Sequence, residues 1–295
     1  MKAVQSQARL SLKNILFCTD FSSDTDVVLP YAAELARHFG AKLFAVHVRF
    51  GDQYAFIPEG GPFPTALSDD RIYTNLSAMV NRFPGVEHEV LVEEGEVWPA
   101  LASVIREKEI DLIVIGTRGR TGIKKVLLGS EAEKIFRQAP CPVMTVGPQL
   151  SRHLPRGGEI SEILYATDLS TESMIATPYA ISLAQEYQAH LTLLHVITPQ
   201  QVGDLVSPHE LIASSERLLH NMVPAEAEVW CEPRCVVEQG DPAAKILEIA
   251  DHKRVDLIVL GVRRPSVLGA ATHLPGATAY KVVTQATCPP LTVRE

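Results

Sequence analysis

Asp111-Leu112-Ile113-Val114-Ile115-Gly116-Thr117-Arg118-Gly119, continued after a short gap by Gly129-Ser130-Glu131-Ala132-Glu133-Lys134-Ile135-Phe136-Arg137, decides the fold. The unbroken apolar run 112–115 reads as a strand buried on both faces, as in a parallel sheet. The run from Glu131 to Arg137 reads as a helix. A glycine-punctuated loop therefore leaves the carboxyl end of a strand and enters a helix amino terminus. In an open α/β sheet, ligands sit at that edge. The helix start offers unpaired backbone N–H groups and the positive end of the macrodipole, both suited to phosphate. Glycine lets the backbone approach an anion with no Cβ in the way. Two readings without a ligand stand beside this one. Ser130 and Glu133 match an S-x-x-E capping box, and the glycines would serve equally as turn residues. The loop is neither G-x-x-x-x-G-K-[ST] nor G-x-G-x-x-G, so neither familiar phosphate fingerprint applies.

The rest of the chain narrows the class. Its 295 residues suffice for one large domain or two smaller ones, and 46% of them are hydrophobic. A net charge of −8 argues against a nucleic-acid surface, which needs a basic stripe. Against that background Arg118, Arg120, Lys124 and Lys125 concentrate in the glycine loop. The five cysteines, at 18, 141, 231, 235 and 288, make no disulfide or zinc pattern, and are expected to be buried small hydrophobes in a reducing compartment. Residues 1–11 lack an apolar signal core, and no apolar run nears the ~20 residues of a membrane helix. A soluble, cytoplasmic protein with neither nucleic-acid nor membrane partner is the expectation.

Reading in order, strands are expected at 14–19, 43–48, 87–92, 111–115 and 141–146, with helices at 25–39, 65–82, 96–108 and 131–137. Gly40 stands where a C′ glycine closes the first helix. A Gly/Pro-rich excursion from Gly51 to Pro64 reads as an extended loop. Strand alternating with helix predicts a doubly wound, mostly parallel sheet. The pattern then restarts. Ile163-Leu164-Tyr165-Ala166-Thr167-Asp168-Leu169-Ser170 repeats Ile15-Leu16-Phe17-Cys18-Thr19-Asp20-Phe21-Ser22. Pro178-Tyr179-Ala180, His195-Val196, Asp256-Leu257-Ile258-Val259 and Cys288-Pro289 likewise repeat Pro30-Tyr31-Ala32, His47-Val48, Asp111-Leu112-Ile113-Val114 and Cys141-Pro142. Two similar domains follow, 1–150 and 151–295, with the seam near Gln149 to Glu159.

Asp20 ends a buried strand at the sheet edge that carries the glycine loop. A carboxylate there would accept from an adenine amino group or a ribose hydroxyl, or would cap the following helix. His47 reads as a satisfied strand histidine, since no nucleophile or metal partner is legible near it.

Thr19-Asp20-Phe21-Ser22, His47-Val48, Gly116-x2-Gly119-x9-Gly129-Ser130 and Ala139-Pro140-Cys141-Pro142-Val143 together resemble the universal stress protein family, in its tandem two-domain form. The resemblance covers nearly the whole chain, one copy per half. It implies an α/β fold of two tandem doubly wound domains, Rossmann-like and of the adenine-nucleotide α-hydrolase-like type, each with a five-stranded mostly parallel sheet. It also implies an adenine nucleotide, ATP above all, with Mg²⁺ or Mn²⁺ carried by the triphosphate and no metal site from protein alone. Carried onto this sequence, the strand end Cys18, Thr19 and Asp20 would meet adenine or ribose, and the Val48 backbone would flank the base. Ile115, Gly116, Arg118 and Gly119 would line ribose and phosphates, and Gly129, Ser130, Glu131 and Ala132 would hold the terminal phosphates. The Glu131 carboxylate would repel phosphate unless it turned away or shared a cation.

The second half keeps Asp168 and Val196 but reads Gly261-Val262-Arg263-Arg264 at the loop, and Gly276-Ala277 where Gly129-Ser130 stands. Arg264 puts a side chain where the backbone needed to approach closely, Pro265 stiffens the loop, and Ala277 lacks the hydroxyl. A degenerate second site follows, set against the alternative that Arg263 and Arg264 hold phosphate differently.

The leading reading is an ATP-binding stress-response or regulatory protein whose surface another protein reads, with at most slow hydrolysis, since no general base is legible. Strands Cys141–Val146 and Cys288–Val293 would pair the halves as an internal pseudo-dimer, and two chains would pair further as a homodimer. The alternative is a nucleotide-independent scaffold or chaperone-like protein using Tyr54, Phe56, Ile57 and Phe63. An adenylating enzyme would carry S-G-G-x-D-S or H-x-G-H, and neither string occurs.

Overall fold

The computed structural model describes residues 10–22, 25–49, 69–117, 128–147, 149–150, 160–201, 207–225, 227, 231, 233–263 and 277–294. Contacts divide the chain into two compact units, Leu12–Val143 and Met144–Glu295, the second also taking in the chain's start through Ser11. The Gly51–Pro64 excursion lies outside the described residues.

The first unit contains β1 (Asn14–Cys18), α1 (Thr25–Phe39), β2 (Lys42–Arg49), α2 (Asp69–Val80), β3 (His88–Glu94), α3 (Val97–Glu107), β4 (Leu112–Gly116) and α4 (Ser130–Gln138). Its strands run β3-β2-β1-β4, every pair parallel. The period-two alternation of side chains divides the strands between two helix layers. Leu16, Phe44, Val46, Ile113 and Ile115 pack with Leu101, Val104 and Ile105 of α3 and Ile135 of α4. The alternate residues, among them Ile15, Phe17, Leu43 and Ala45, are also buried, and α1 packs on β1 and β4 while α2 packs on β2 and β3. Each fully buried aliphatic or aromatic side chain contributes about 1.5–3 kcal/mol, so the doubly covered strands are the stable part of the fold. Helix α1 ends as its sequence prescribes: Gly40 has φ +62°, and Ala41 N–H donates to the Ala36 carbonyl at 2.8 Å.

The second unit repeats the plan with β6 (Glu162–Ala166), α5 (Thr171–Met174), α6 (Thr177–Tyr187), β7 (His190–Ile197), α7 (Pro208–Met222), β8 (Arg234–Gln239), α8 (Pro242–His252), β9 (Leu257–Gly261), α9 (Thr278–Gln285) and β10 (Pro290–Val293). The order is β8-β7-β6-β9-β10, again parallel throughout. The unit boundary falls inside β5 (Val143–Val146). Pro142 accepts from Ile113 N–H at 3.0 Å in the first unit, whereas the Thr145 hydroxyl donates to the Pro290 carbonyl at 3.4 Å in the second.

The first helix differs between the copies, and a tyrosine hydroxyl bonds at the point of difference. Where α1 runs unbroken, its counterpart splits into α5 and α6. Tyr165, standing where the first half has Phe17, donates from its hydroxyl to the Ser173 carbonyl at 3.0 Å and lies 3.0 Å from Thr177 Oγ1. The phenol thus satisfies polar groups at the break, which Phe17 could not do.

The repeated Asp-Leu-Ile-Val motif has a structural role at the opposite sheet edge. Asp111 Oδ2 accepts from Lys13 and Asn14 N–H at 2.7 and 2.9 Å, and Asp256 Oδ2 accepts from Ser161 and Glu162 N–H at 2.8 and 3.0 Å. Each carboxylate fixes the start of its unit's central strand. The cysteines are free, as expected of packing residues, and burial pushes the Cys141 and Cys288 thiols up to about 12. Among the described residues no helix is long and apolar enough to cross a membrane.

Replacing Asp111 or Asp256 by Ala is expected to destabilise its unit by about 1–2 kcal/mol, the range for hydrogen bonds to a charged acceptor partly open to solvent. Urea unfolding followed by far-UV circular dichroism measures this, and an unchanged midpoint would remove the anchoring role.

Candidate functional site

The carboxyl edge of the first sheet is built from three strand ends and one helix start. At β1, Thr19 N–H donates to the Val46 carbonyl at 3.1 Å, carrying the ladder one residue past the strand. Thr19 Oγ1 then accepts from Phe21 N–H at 2.9 Å and lies 2.6 Å from Thr25 Oγ1. Asp20 Oδ1 accepts from Ser22 N–H at 2.9 Å, an Asx turn that reverses the chain toward α1. Phe21 takes φ +60°, a conformation bulky side chains rarely adopt. Asp20 therefore stands at the apex of a locally bonded turn, five residues ahead of the start of α1.

At β2, side-chain alternation sends Val48 toward the α3 layer, where it packs against the core cluster, and His47 toward the opposite layer. His47 is buried, with Nδ1 2.8 Å from the Thr19 carbonyl and its ring centroid 4.7 Å from that of Phe21. A carbonyl can only accept, so Nδ1 carries the proton. Cys18 and Ile115 are likewise turned into the core, so at those positions only the backbone faces the edge.

At β4, Thr117 and Leu128 are both buried, and Gly129 N–H donates to the Thr117 carbonyl at 2.9 Å. That bond seats the start of α4 beside the strand end. The capping-box reading of Ser130 and Glu133 is corrected here. Gly129 is the N-cap, Glu133 N–H donates to its carbonyl at 2.8 Å, and no side-chain cap bonds the helix start. The reason is positional: Ser130 already belongs to the helix, so its hydroxyl is one residue too late to cap. Glu131 pairs with Lys134 at 2.9 Å and Glu133 with Arg137 at 2.6 Å, offsetting both carboxylates of the first turn along the helix. The structure thus brings Thr19, Asp20, Val48, Ile115, Gly116, Gly129, Ser130, Glu131 and Ala132 to one sheet edge or the helix start beside it. Arg118 and Gly119 lie outside the described residues, as do Arg264, Gly276 and the aromatics Tyr54, Phe56 and Phe63.

The second half reproduces the turn. Leu169 N–H donates to Thr167 Oγ1 at 3.0 Å with Leu169 at φ +63°, Ser170 N–H donates to Asp168 Oδ1 at 3.0 Å, and His195 Nδ1 lies 2.9 Å from the Thr167 carbonyl. Val196, next to last in β7, is buried in the core, and Ala277 is the N-cap of α9, again with no side-chain cap. Asp168 has Arg263 3.9 Å away. Burial pushes the Asp168 carboxyl up, but hydrogen bonds from Ser170 and Ser173 and the charge of Arg263 outweigh it, so it sits below the usual range.

Two features escaped the sequence reading. Arg263 faces Asp168, a partnership between residues far apart in sequence that spacing cannot show. Gly261 is required by packing: a Cβ there would stand 2.2 Å from the Ser173 carbonyl oxygen and 2.5 Å from Ser173 Cα. Retention of this first glycine in a loop that has lost the second was the available signal.

Comparison with known proteins bears on the family and the fold. The model of the universal stress protein family matches residues 11–147 and again 159–294. The chain is similar to universal stress protein YxiE of Bacillus subtilis, at 32% identity over 45% of this chain and 99% of that protein. It is similar along most of its length to a universal stress protein of Mycolicibacterium smegmatis, at 26% identity over 95% of this chain and 96% of the other. The crystal structure of a universal stress protein from Archaeoglobus fulgidus superposes with a TM-score of 0.64 at 20% identity, covering 99% of each chain.

Replacing Gly261 by Ala drives a Cβ into backbone that cannot yield, with an expected loss of roughly 3 kcal/mol from the second unit. Denaturant titration tests this, and a stable, fully folded variant would refute the close approach. Because the folded Asp168 carboxyl is depressed, its contribution is present above the unfolded value of about 3.9 and is lost as pH falls through the folded value. Wild type should therefore lose stability toward pH 2 more steeply than Asp168→Asn, by a small margin because the pair is half exposed. Parallel urea midpoints across pH 2–6 would contradict the assignment.

Proposed function

The chain belongs to the universal stress protein family in its tandem form, and from that premise we propose that it is an adenine-nucleotide-binding regulatory protein of the stress response, with ATP as ligand of the first half. The observation that carries the proposal is the start of α4. It is bonded to the end of β4 through Gly129 and Thr117, and no side-chain cap bonds it. The first helical amides lack intrahelical acceptors and lie at the positive end of the helix dipole, which suits phosphate oxygens.

In this reading Asp20 accepts from adenine or ribose at the apex of its turn. The Val48 backbone flanks the base, and Ile115 and Gly116 line the ribose with Arg118 and Gly119. Ser130, Glu131 and Ala132 hold the terminal phosphates through their amides, with the Glu131 charge offset by Lys134. Mg²⁺ or Mn²⁺ arrives on the triphosphate, whose bound form supplies the charge change that a protein partner reads. Turnover is at most slow in this reading, since no general base or water-activating constellation is legible in the sequence. The second half is a degenerate site: in sequence Arg264 and Pro265 stand in its loop, and Ala277 takes the place of Ser130. We propose the domain division 1–150 and 151–295, with the halves pairing as an internal pseudo-dimer through the strands Cys141–Val146 and Cys288–Val293. Such pairing covers apolar sheet edges that would otherwise be open. Cytoplasmic residence is the compartment consistent with an intracellular nucleotide ligand, and a homodimer of two chains is compatible with the proposal.

The purified full chain, denatured and analysed by chromatography and mass spectrometry, is expected to release about one adenine nucleotide per chain. Two per chain would overturn the degenerate second site. None, with no calorimetric response to ATP and Mg²⁺, would overturn nucleotide binding.

A further inference from the structure

The turn carrying Asp20 is held from beneath by a residue that the nucleotide reading does not use. His47 is only 8% exposed and reaches from β2 to both flanks of Asp20. Its Nδ1–H donates to the Thr19 carbonyl at 2.8 Å, and its ring lies against the Phe21 ring at a centroid distance of 4.7 Å. Between those two contacts the backbone has few alternatives. Thr19 N–H is committed to the Val46 carbonyl, Phe21 N–H to Thr19 Oγ1, and Ser22 N–H to Asp20 Oδ1. Phe21 also sits in the left-handed region, which persists for a bulky residue only where its surroundings hold it there.

We propose that His47 is a positioning residue for the ligand of the first half: by fixing Thr19 and Phe21 it sets the direction in which Asp20 presents its carboxylate. The proposal rests on the nucleotide reading above. His47 touches no reacting atom and acts through Asp20, by clamping a strained turn whose relaxed alternatives point the carboxylate elsewhere. The second half contains its own control. His195 makes the same bond to the Thr167 carbonyl at 2.9 Å, beneath Leu169 at φ +63°. A purely structural histidine would affect the chain equally from either half, whereas a positioning histidine affects ligand affinity from the first half alone.

The experiment is calorimetric titration of the full chain with ATP and Mg²⁺, comparing wild type with His47→Val, His47→Asn and His195→Val. Valine suits a strand but donates nothing, and asparagine keeps an N–H near the position of Nδ1. His47→Val is expected to bind roughly three- to tenfold more weakly, the effect of one lost hydrogen bond. His47→Asn should recover most of the affinity, and His195→Val should match wild type while losing similar thermal stability. Should His47→Val not fold, His47→Gln replaces it with the same expectation, since its donor lies one methylene too far out. Equal affinity in wild type and the non-donating His47 variant would overturn the positioning role and leave the nucleotide reading intact. Equal weakening by His195→Val would overturn it as well, by showing a general stability effect. Absence of binding to wild type would overturn the nucleotide reading, and the positioning role with it.

Discussion

The backbone hydrogen bond from Gly129 N–H to the Thr117 carbonyl joins two residues separated by the loop that carries Arg118, Arg120, Lys124 and Lys125. Both stems of that loop are anchored in the core, through Thr117 on one side and Leu128 on the other. The place where α4 begins is therefore set by packing and not by the loop itself, whose closure has an entropy cost that grows only slowly with length. Everything that gives the carboxyl edge an electrostatic character follows from this seat. The helix dipole is directed there, its first amides open there, and the neighbouring strands bring Asp20 and the Val48 backbone to the same level.

Much of this was legible in the sequence, and the reason is periodicity. The runs at 14–19, 43–48 and 111–115 read as strands because sheets covered on both faces need unbroken apolar segments, and the structure has strands at 14–18, 42–49 and 112–116; α1 was bounded correctly by Thr25 and Gly40. The tandem repeat was visible as recurring short strings. What was illegible depended on contacts across the sheet. The capping box at Ser130 failed because the chain starts its helical turn one residue earlier than the string suggests, a shift that only the Thr117 bond decides. The close approach of Ser173 to Gly261 and the meeting of Arg263 with Asp168 involve residues far apart in sequence, so no local pattern could announce them.

The two halves show how one fold tolerates divergence. The amino-edge carboxylates Asp111 and Asp256, the histidine-to-carbonyl bonds and the left-handed turn residues are kept in both. These features maintain the sheet and its first turn, whatever is bound. The two copies also differ. The helix that is unbroken in the first half is split in the second, where the Tyr165 hydroxyl bonds at the break, and the N-cap that is Gly129 in α4 is Ala277 in α9.

The boundary inside β5 bears on how such a chain arises and how it would be divided. The family match of the first copy extends to residue 147, yet from Met144 onward the strand is grouped with the second unit. The family repeat and the body that packs together are therefore out of step by a few residues. A cut at the seam would leave residues 144–147 with the first half although they pack in the second unit, so neither product would carry a whole body.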